Sequence, residues 1–343
     1  MRIRFGSIAV AVVLLLAGAG GQSRTTLDVY FVDVEGGQAT LLVTPSGASM
    51  LVDAGWSGVN GRDADRIVAA AKQAGVSRID TLVVTHYHRD HVGGVPELAA
   101  KIPVGTFVDH GPTVEEGAQP AELFNAYIVA REKGRHLQVK PGDTIPVAGL
   151  DVRVVSAAGD LAKAALPGGG AANPLCAAFK AKDPDPTENA RSVGMVVTFG
   201  RFRMLDLGDL TWNKEQGLVC PNNLLGQIDL YLTTHHGLDA SGAEVLVHAV
   251  RPRVAVMNNG ATKGGIPSAW QIVHDSPGLQ DIWQIHRAVN ADAAHNAPEP
   301  FIGNLDETTA FGIKVSAERD GSFSVVNARN GQSKRYGPRG PQS

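Results

Sequence analysis

The stretch Thr85-His86-Tyr87-His88-Arg89-Asp90-His91-Val92-Gly93-Gly94 decides how the rest of the chain is read. His86 and His88 are two apart, so on an extended segment leaving the apolar run Leu82-Val83-Val84 they point to the same side and can hold one cation together. Asp90 and His91 follow where the chain turns towards a helix over Val95 to Ile102, and their side chains can face a second cation beside the first. Three imidazoles and a carboxylate suit Zn2+, with Fe or Mn as alternatives. The bland alternative is a set of loop histidines spaced by accident, which three His and one Asp at fixed offsets make rare.

At 343 residues the chain is long enough to bury a substantial core, and 43% hydrophobic with 19% charged residues is a globular composition. Its first residues stand apart. Arg2 and Arg4 precede an apolar run from Ile8 to Leu16 and the small residues Ala17-Gly18-Ala19, the pattern of a secretory signal peptide over residues 1–22. An uncleaved anchor is the alternative, although the run is shorter than the ~20 residues a span needs. Cleavage leaves no stable membrane anchor and a periplasmic or secreted protein. Losing Arg2 and Arg4 takes the basic count from 31 to 29 against 34 acids, a formal charge of −5, which argues against a nucleic-acid partner. An oxidising compartment allows the only two cysteines, Cys176 and Cys220, to pair, and closing that loop is worth roughly 4 kcal/mol of chain entropy. Two unrelated thiols are the other outcome.

Strand signals run over Thr26 to Val34, Ala39 to Thr44 and Ser49 to Asp53, a three-strand meander. A helix over Asp63 to Ala74 and the strand Ile79 to Val84 lead into the histidine motif, and strand Gly105 to Asp109 ends in His110. Thr113 to Lys133 reads as one helix opened by a Thr113-x-x-Glu116 capping pattern. The Gly/Ala/Pro-rich segment Ala157 to Glu188 reads as a lid or wall of a site. Further strands end in Gly208-Asp209 and in Thr234-His235-His236-Gly237. One domain is expected over residues 25–329, followed by a disordered tail from 330 to 343.

HxHxDH at a strand end resembles the signature of the metallo-β-lactamase superfamily. Asp33-Val34-Glu35-Gly36-Gly37-Gln38-Ala39, Asn189-x-x-Ser192, Gly208-Asp209 and His235-His236-Gly237 with Ser241 resemble its ComEC-like and phosphorylcholine-esterase-like branch. Two departures are Glu35 and Gln38 in the first run, and Gly265-Ile266-Pro267 where that branch has G-H-P. The resemblance implies an α/β, four-layer αββα sandwich with mixed sheets and two metals at one edge. His86 and His88 then hold one ion, Asp90, His91 and one of the His235/His236 pair the other, and Asp209 bridges them; the pair points apart, with His236 favoured. The first ion lacks a third histidine unless His110 supplies it. His286, His295 and Asn259 are candidates for the substrate side.

Two cations side by side bring a bridging water's pKa near neutrality and polarise a substrate oxygen, and Asp90 can accept or relay the proton. The expectation is an exported, dinuclear, zinc-dependent hydrolase that uses a metal-bridging hydroxide on a small-molecule phosphoester or phosphodiester. Hydrolysis of a β-lactam or lactone is the alternative, and a non-catalytic metal-binding envelope module is the alternative of another class.

Overall fold

The computed structural model describes residues 24–340, so the expected signal peptide lies outside the described residues. The meander is present as β1 (Leu27–Phe31), β2 (Thr40–Val43) and β3 (Ser49–Val52). Three crossovers then extend the sheet in parallel: α1 (Arg62–Gln73) to β4 (Ile79–Val83), α2 (Val95–Lys101) to β5 (Val104–Asp109), and α3 (Ala118–Arg131) to β6 (Arg135–Gln138).

A second sheet opens with β7 (Thr144–Ile145), β8 (Asp151–Ala157) and the short β9 (Asp160–Leu161). After β10 (Ala171–Ala172) come β11 (Gly194–Phe199), β12 (Phe202–Asp206) and α4 (Trp212–Val219), and then β13 (Asn222–Asn223), which pairs with β10 in a small ribbon. The alternation β14 (Leu230–Leu232), α5 (Glu244–Val250), β15 (Val254–Met257), α6 (Pro267–His274), β16 (Asp281–His286) and β17 (Ile302–Asn304) completes it. The chain returns to the first sheet as β18 (Ile313–Ala317), β19 (Phe323–Asn327) and β20 (Ser333–Tyr336), giving the order β20-β19-β18-β1-β2-β3-β4-β5-β6.

Alternation along each strand sorts side chains between layers. Val29 and Phe31 of β1 join Met195, Met204, Val256 and Trp283 of the second sheet in the central core, while Tyr30 turns out to the layer of Ile67, Leu98 and Tyr127. Leu205, Tyr231 and Ala255 face Leu218, Leu246 and Trp270 on the opposite outer side. Helices therefore cover both outer faces, and the molecule is the expected αββα sandwich with mixed sheets.

Three sequence expectations need correction or extension. The tail is not all disordered: β20 forms because Tyr336 is buried against Phe323, donates to Asp281 (2.6 Å) and accepts from the Trp283 indole (3.0 Å). Helix α3 begins at Ala118 rather than Thr113. Thr113 and Val114 are instead drawn to the Glu188 carboxylate, and Gly117 adopts φ 112, outside the helical region. Cys176 and Cys220 are joined, tying the wall segment to the end of α4.

That bridge closes a separation of 44 residues, about 4 kcal/mol in the chain-entropy account. Replacing both cysteines with alanine is expected to lower unfolding free energy by about 2–4 kcal/mol in urea titration. An unchanged midpoint would show that the wall segment is held without it.

Candidate metal centre

Parallel strands end on one edge, and both sheets bring their C-terminal ends to the same side of the molecule. The seam is closed by the Val193 N–H donating to Thr85 O (2.8 Å) and by Gln38 Nε2 donating to Asp206 Oδ2 (2.9 Å). Gly208 packs directly on Thr85: a Cβ there would lie 2.8 Å from the Thr85 Cβ, and its φ of 56 is left-handed. Only glycine allows β12 to approach this closely, and Asp209 follows it.

Asp53, at the end of β3, anchors the histidine motif. Its carboxylate accepts the Thr85 N–H (2.8 Å) and hydroxyl (2.7 Å) and lies 2.8 Å from His91 Nδ1. A proton held on His91 Nδ1 leaves Nε2 turned inward, 3.2 Å from Asp209 Oδ2 and 3.3 Å from Asp90 Oδ2. His236 Nε2 arrives 3.2 Å from Asp90 Oδ2 and 3.5 Å from Asp209 Oδ1. One potential ligand atom from each of Asp90, His91, Asp209 and His236 lies within 4.8 Å of the others, and all four residues are buried.

His86 Nε2 stands 3.8 Å from Asp209 Oδ2 and 3.0 Å from His88 Nδ1. His235 and His236 both take left-handed backbone angles, φ 55 and 57, unusual for histidine. Successive residues in that conformation do not point apart as expected. Both rings reach Asp209, His235 Nε2 at 3.4 Å, with its Nδ1 3.3 Å from the Ser241 hydroxyl.

Burial penalises charge throughout the cluster, yet opposite charges outweigh it. Asp209 and Asp90 are held well below the usual carboxylate range by the histidines around them, aided at Asp90 by Lys263. His91 is raised well above an ordinary imidazole, because Asp209, Asp90 and Asp53 overcome its desolvation. His86 goes the other way: burial, then His91 and His88, push its pKa well down. The field that favours a proton on His91 also favours a divalent cation. Asp209 Oδ1 is buried with no hydrogen-bond donor, and two carboxylates with two imidazoles form a donor set suited to Zn2+, Mn2+ or Fe2+. The residues fit a metal ion.

Other candidates lie apart from the cluster. His110 is bonded through Nε2 to Glu188 (2.9 Å) and packs on Tyr87, 4.7 Å between rings, so it does not fill the place of a third histidine. His286 is buried with Nε2 on Asp33 (2.8 Å), and Asn259 donates to His286 O (2.8 Å). Both brace strand ends instead of facing a substrate. His295 is bonded to Asp292 in a short turn and stands beside Trp270. Sequence inspection assigned no site role to Asp53, Glu115, Glu188 or Lys263. Glu115 Oε1 is 2.7 Å from His88 Nε2, and Lys263 pairs with Asp90 and lies over the Trp56 ring at 4.8 Å. For Asp53 alone there was a signal, its place at a strand end before Ala54-Gly55.

Residues 32–170 match the family model of the Metallo-beta-lactamase superfamily. Among curated proteins it is similar to Recombination protein 2 of Haemophilus influenzae, 25% identical over 76% of this chain and 27% of that protein. ComE operon protein 3 of Bacillus subtilis is 26% identical over 54% of this chain and 20% of the relative. A hydroxyacylglutathione hydrolase of Stenotrophomonas maltophilia is 40% identical over 25% of this chain and 32% of the relative. The chain thus spans about a third or less of the length of these relatives. A solved metallo-beta-lactamase fold protein, YhfI from Bacillus subtilis, aligns with 75% of this chain and 95% of its own at TM-score 0.47 and 10% identity.

Replacing Asp53 with alanine removes the acceptor of the Thr85 N–H and the partner of His91 Nδ1. Zn2+ affinity, read by chelator competition, is expected to fall about 10–100-fold; unchanged affinity would show that His91 is oriented by something else.

Proposed function

We propose that this protein is an exported hydrolase with a two-ion centre that cleaves phosphoesters or phosphodiesters. The observation that carries it is the convergence of Asp90, His91, Asp209 and His236 from three chain segments and both sheets onto one point. Divalent cations held there supply Lewis acidity and bring a water's pKa towards neutrality.

The chain's own groups do the rest. Asp209, reached by histidines from both sheets, supports the shared position between the two halves of the site. Asp90 Oδ2, beside His91, His236 and Lys263, is the atom that accepts a proton during attack and passes it on. Besides the histidines, Lys263 is the cationic side chain paired with Asp90 among the described residues, and its ammonium over Trp56 suits a substrate carrying negative charge. Similarity to Recombination protein 2 and ComE operon protein 3 supports a phosphodiester, while the mature charge of −5 favours a small molecule over a polynucleotide. The 90-residue likeness to a hydroxyacylglutathione hydrolase supports a second reading, a thioester. Export is supported by the basic and apolar start of the sequence and by the Cys176–Cys220 bridge.

Protein loaded with Zn2+ or Mn2+ is expected to hydrolyse bis-p-nitrophenyl phosphate, to lose activity to a chelator, and to lose about 100-fold or more in kcat/KM as Asp209→Ala. Turnover of a chromogenic cephalosporin or a hydroxyacyl thioester in its place would reassign the substrate. Bound metal with no turnover on any of the three would favour a binding module. Lys263→Ala is expected to raise KM for the anionic diester about 10-fold, roughly 1.4 kcal/mol, while leaving a neutral p-nitrophenyl ester unaffected. An equal effect on both esters would remove the charge-selecting role.

A further inference from the structure

The half of the centre built on His86 and His88 has no third histidine, yet one carboxylate outside the ligand cluster touches it. Glu115 Oε1 lies 2.7 Å from His88 Nε2, with both side chains about a quarter exposed, 28% for His88 and 24% for Glu115. This carboxylate is not a floating surface partner. Its position is built by Glu188, which is fully buried and whose two oxygens take the Thr113 hydroxyl (3.0 Å), the Val114 N–H (2.8 Å), the Tyr87 N–H (3.3 Å) and His110 Nε2 (2.9 Å). The Glu188 N–H in turn donates to Glu115 Oε1 (3.4 Å), and the Thr113 hydroxyl accepts the Glu115 N–H (3.2 Å). Glu188 thus ties the loop before α3 to the backbone of Tyr87, between the two motif histidines.

Hydrogen-bond partners also decide which ring nitrogens carry protons. The Thr85 hydroxyl gives its hydrogen to Asp53 and can only accept from His86 Nδ1 (3.1 Å), which leaves His86 Nε2 with a lone pair. A proton on His88 Nε2, held by Glu115, leaves His88 Nδ1 with a lone pair as well. These two nitrogens face each other at 3.0 Å. Two lone pairs at that separation repel unless a cation or proton lies between them.

We propose that Glu115 is a positioning residue: it holds His88 as the Nε2–H tautomer with Nδ1 facing His86 Nε2, and so makes these two rings a cation-binding pair. In its consequence for the second ion this rests on the two-ion function proposed above; in its consequence for the His88 ring it does not. Glu115 touches no reacting atom. Its carboxylate compensates for the missing histidine by fixing the orientation of one that is present.

The test has two arms on the same full-length protein. In metal-free protein labelled with 15N-histidine, with His88 assigned through its loss in His88→Gln, long-range 1H–15N spectra are expected to show the Nε2–H tautomer. Glu115→Ala is expected to mix the tautomers, and Glu115→Gln, whose amide oxygen still accepts, to restore the single form. A wild-type His88 protonated on Nδ1, or a tautomer indifferent to Glu115→Ala, overturns the proposal. In the second arm Co2+ is titrated calorimetrically. Wild type is expected to bind a tight and a weaker equivalent, with Glu115→Ala weakening only the weaker one, about 10–100-fold, and Glu115→Gln recovering most of it. Equal weakening of both equivalents overturns a selective role for Glu115. A wild type that binds a single ion defeats the two-ion function, and the tautomer arm then judges Glu115 alone.

Discussion

Asp209 is where the two sheets meet chemically. Its carboxylate leaves the end of β12 and stands 3.2 Å from His91, 3.4 Å from His235, 3.5 Å from His236 and 3.8 Å from His86, groups delivered by strands of both sheets. Gly208 against Thr85 and Gln38 on Asp206 set the distance across which it reaches. A one-residue slip of β12 in its pairing register would turn the side chains it carries to the opposite face and leave the histidines without Asp209.

Holding so many ionisable groups in a buried place requires each to be oriented and compensated. Asp53 orients His91 and Thr85, and Thr85 in turn meets His86. Asp206, stripped of water, has its pKa pushed up to about 6 despite bonds from Gly208 and Gln38. Left-handed backbone at His235 and His236 is tolerated because Gly237, Gly264 and Gly265 pack tightly around that turn. Strain and buried charge gather at one edge, while the remaining strands are filled by aliphatic and aromatic side chains that separate two helical layers.

Local chemistry made much of this legible. The histidine motif is compact, so residue spacing alone places His86 and His88 on one side. Asp209 and His235/His236 follow glycine or strand-end signals within a few residues, and the two cysteines of the sequence have only each other to pair with. What escaped depends on partners far apart in the chain. Lys263 and Asp90 are 173 positions apart, Asp53 and His91 38, and Glu115 and His88 27. Nothing in the sequence around His110 distinguishes a ligand from a partner of Glu188, 78 residues on. The Gly/Pro/Arg-rich composition of the tail hid Tyr336, whose hydroxyl finds Asp281 and Trp283 only once the sheets are assembled. A capping pattern at Thr113 was outcompeted by a buried carboxylate that no helical rule includes.

Crystals of the protein grown with Zn2+ and measured above and below the zinc absorption edge would test the convergence of the ligand set most directly. An anomalous peak is expected enclosed by Asp90, His91, Asp209 and His236, with further signal only towards His86 and His88. Zinc bound elsewhere on the surface, with those four side chains turned away from one another, would contradict it.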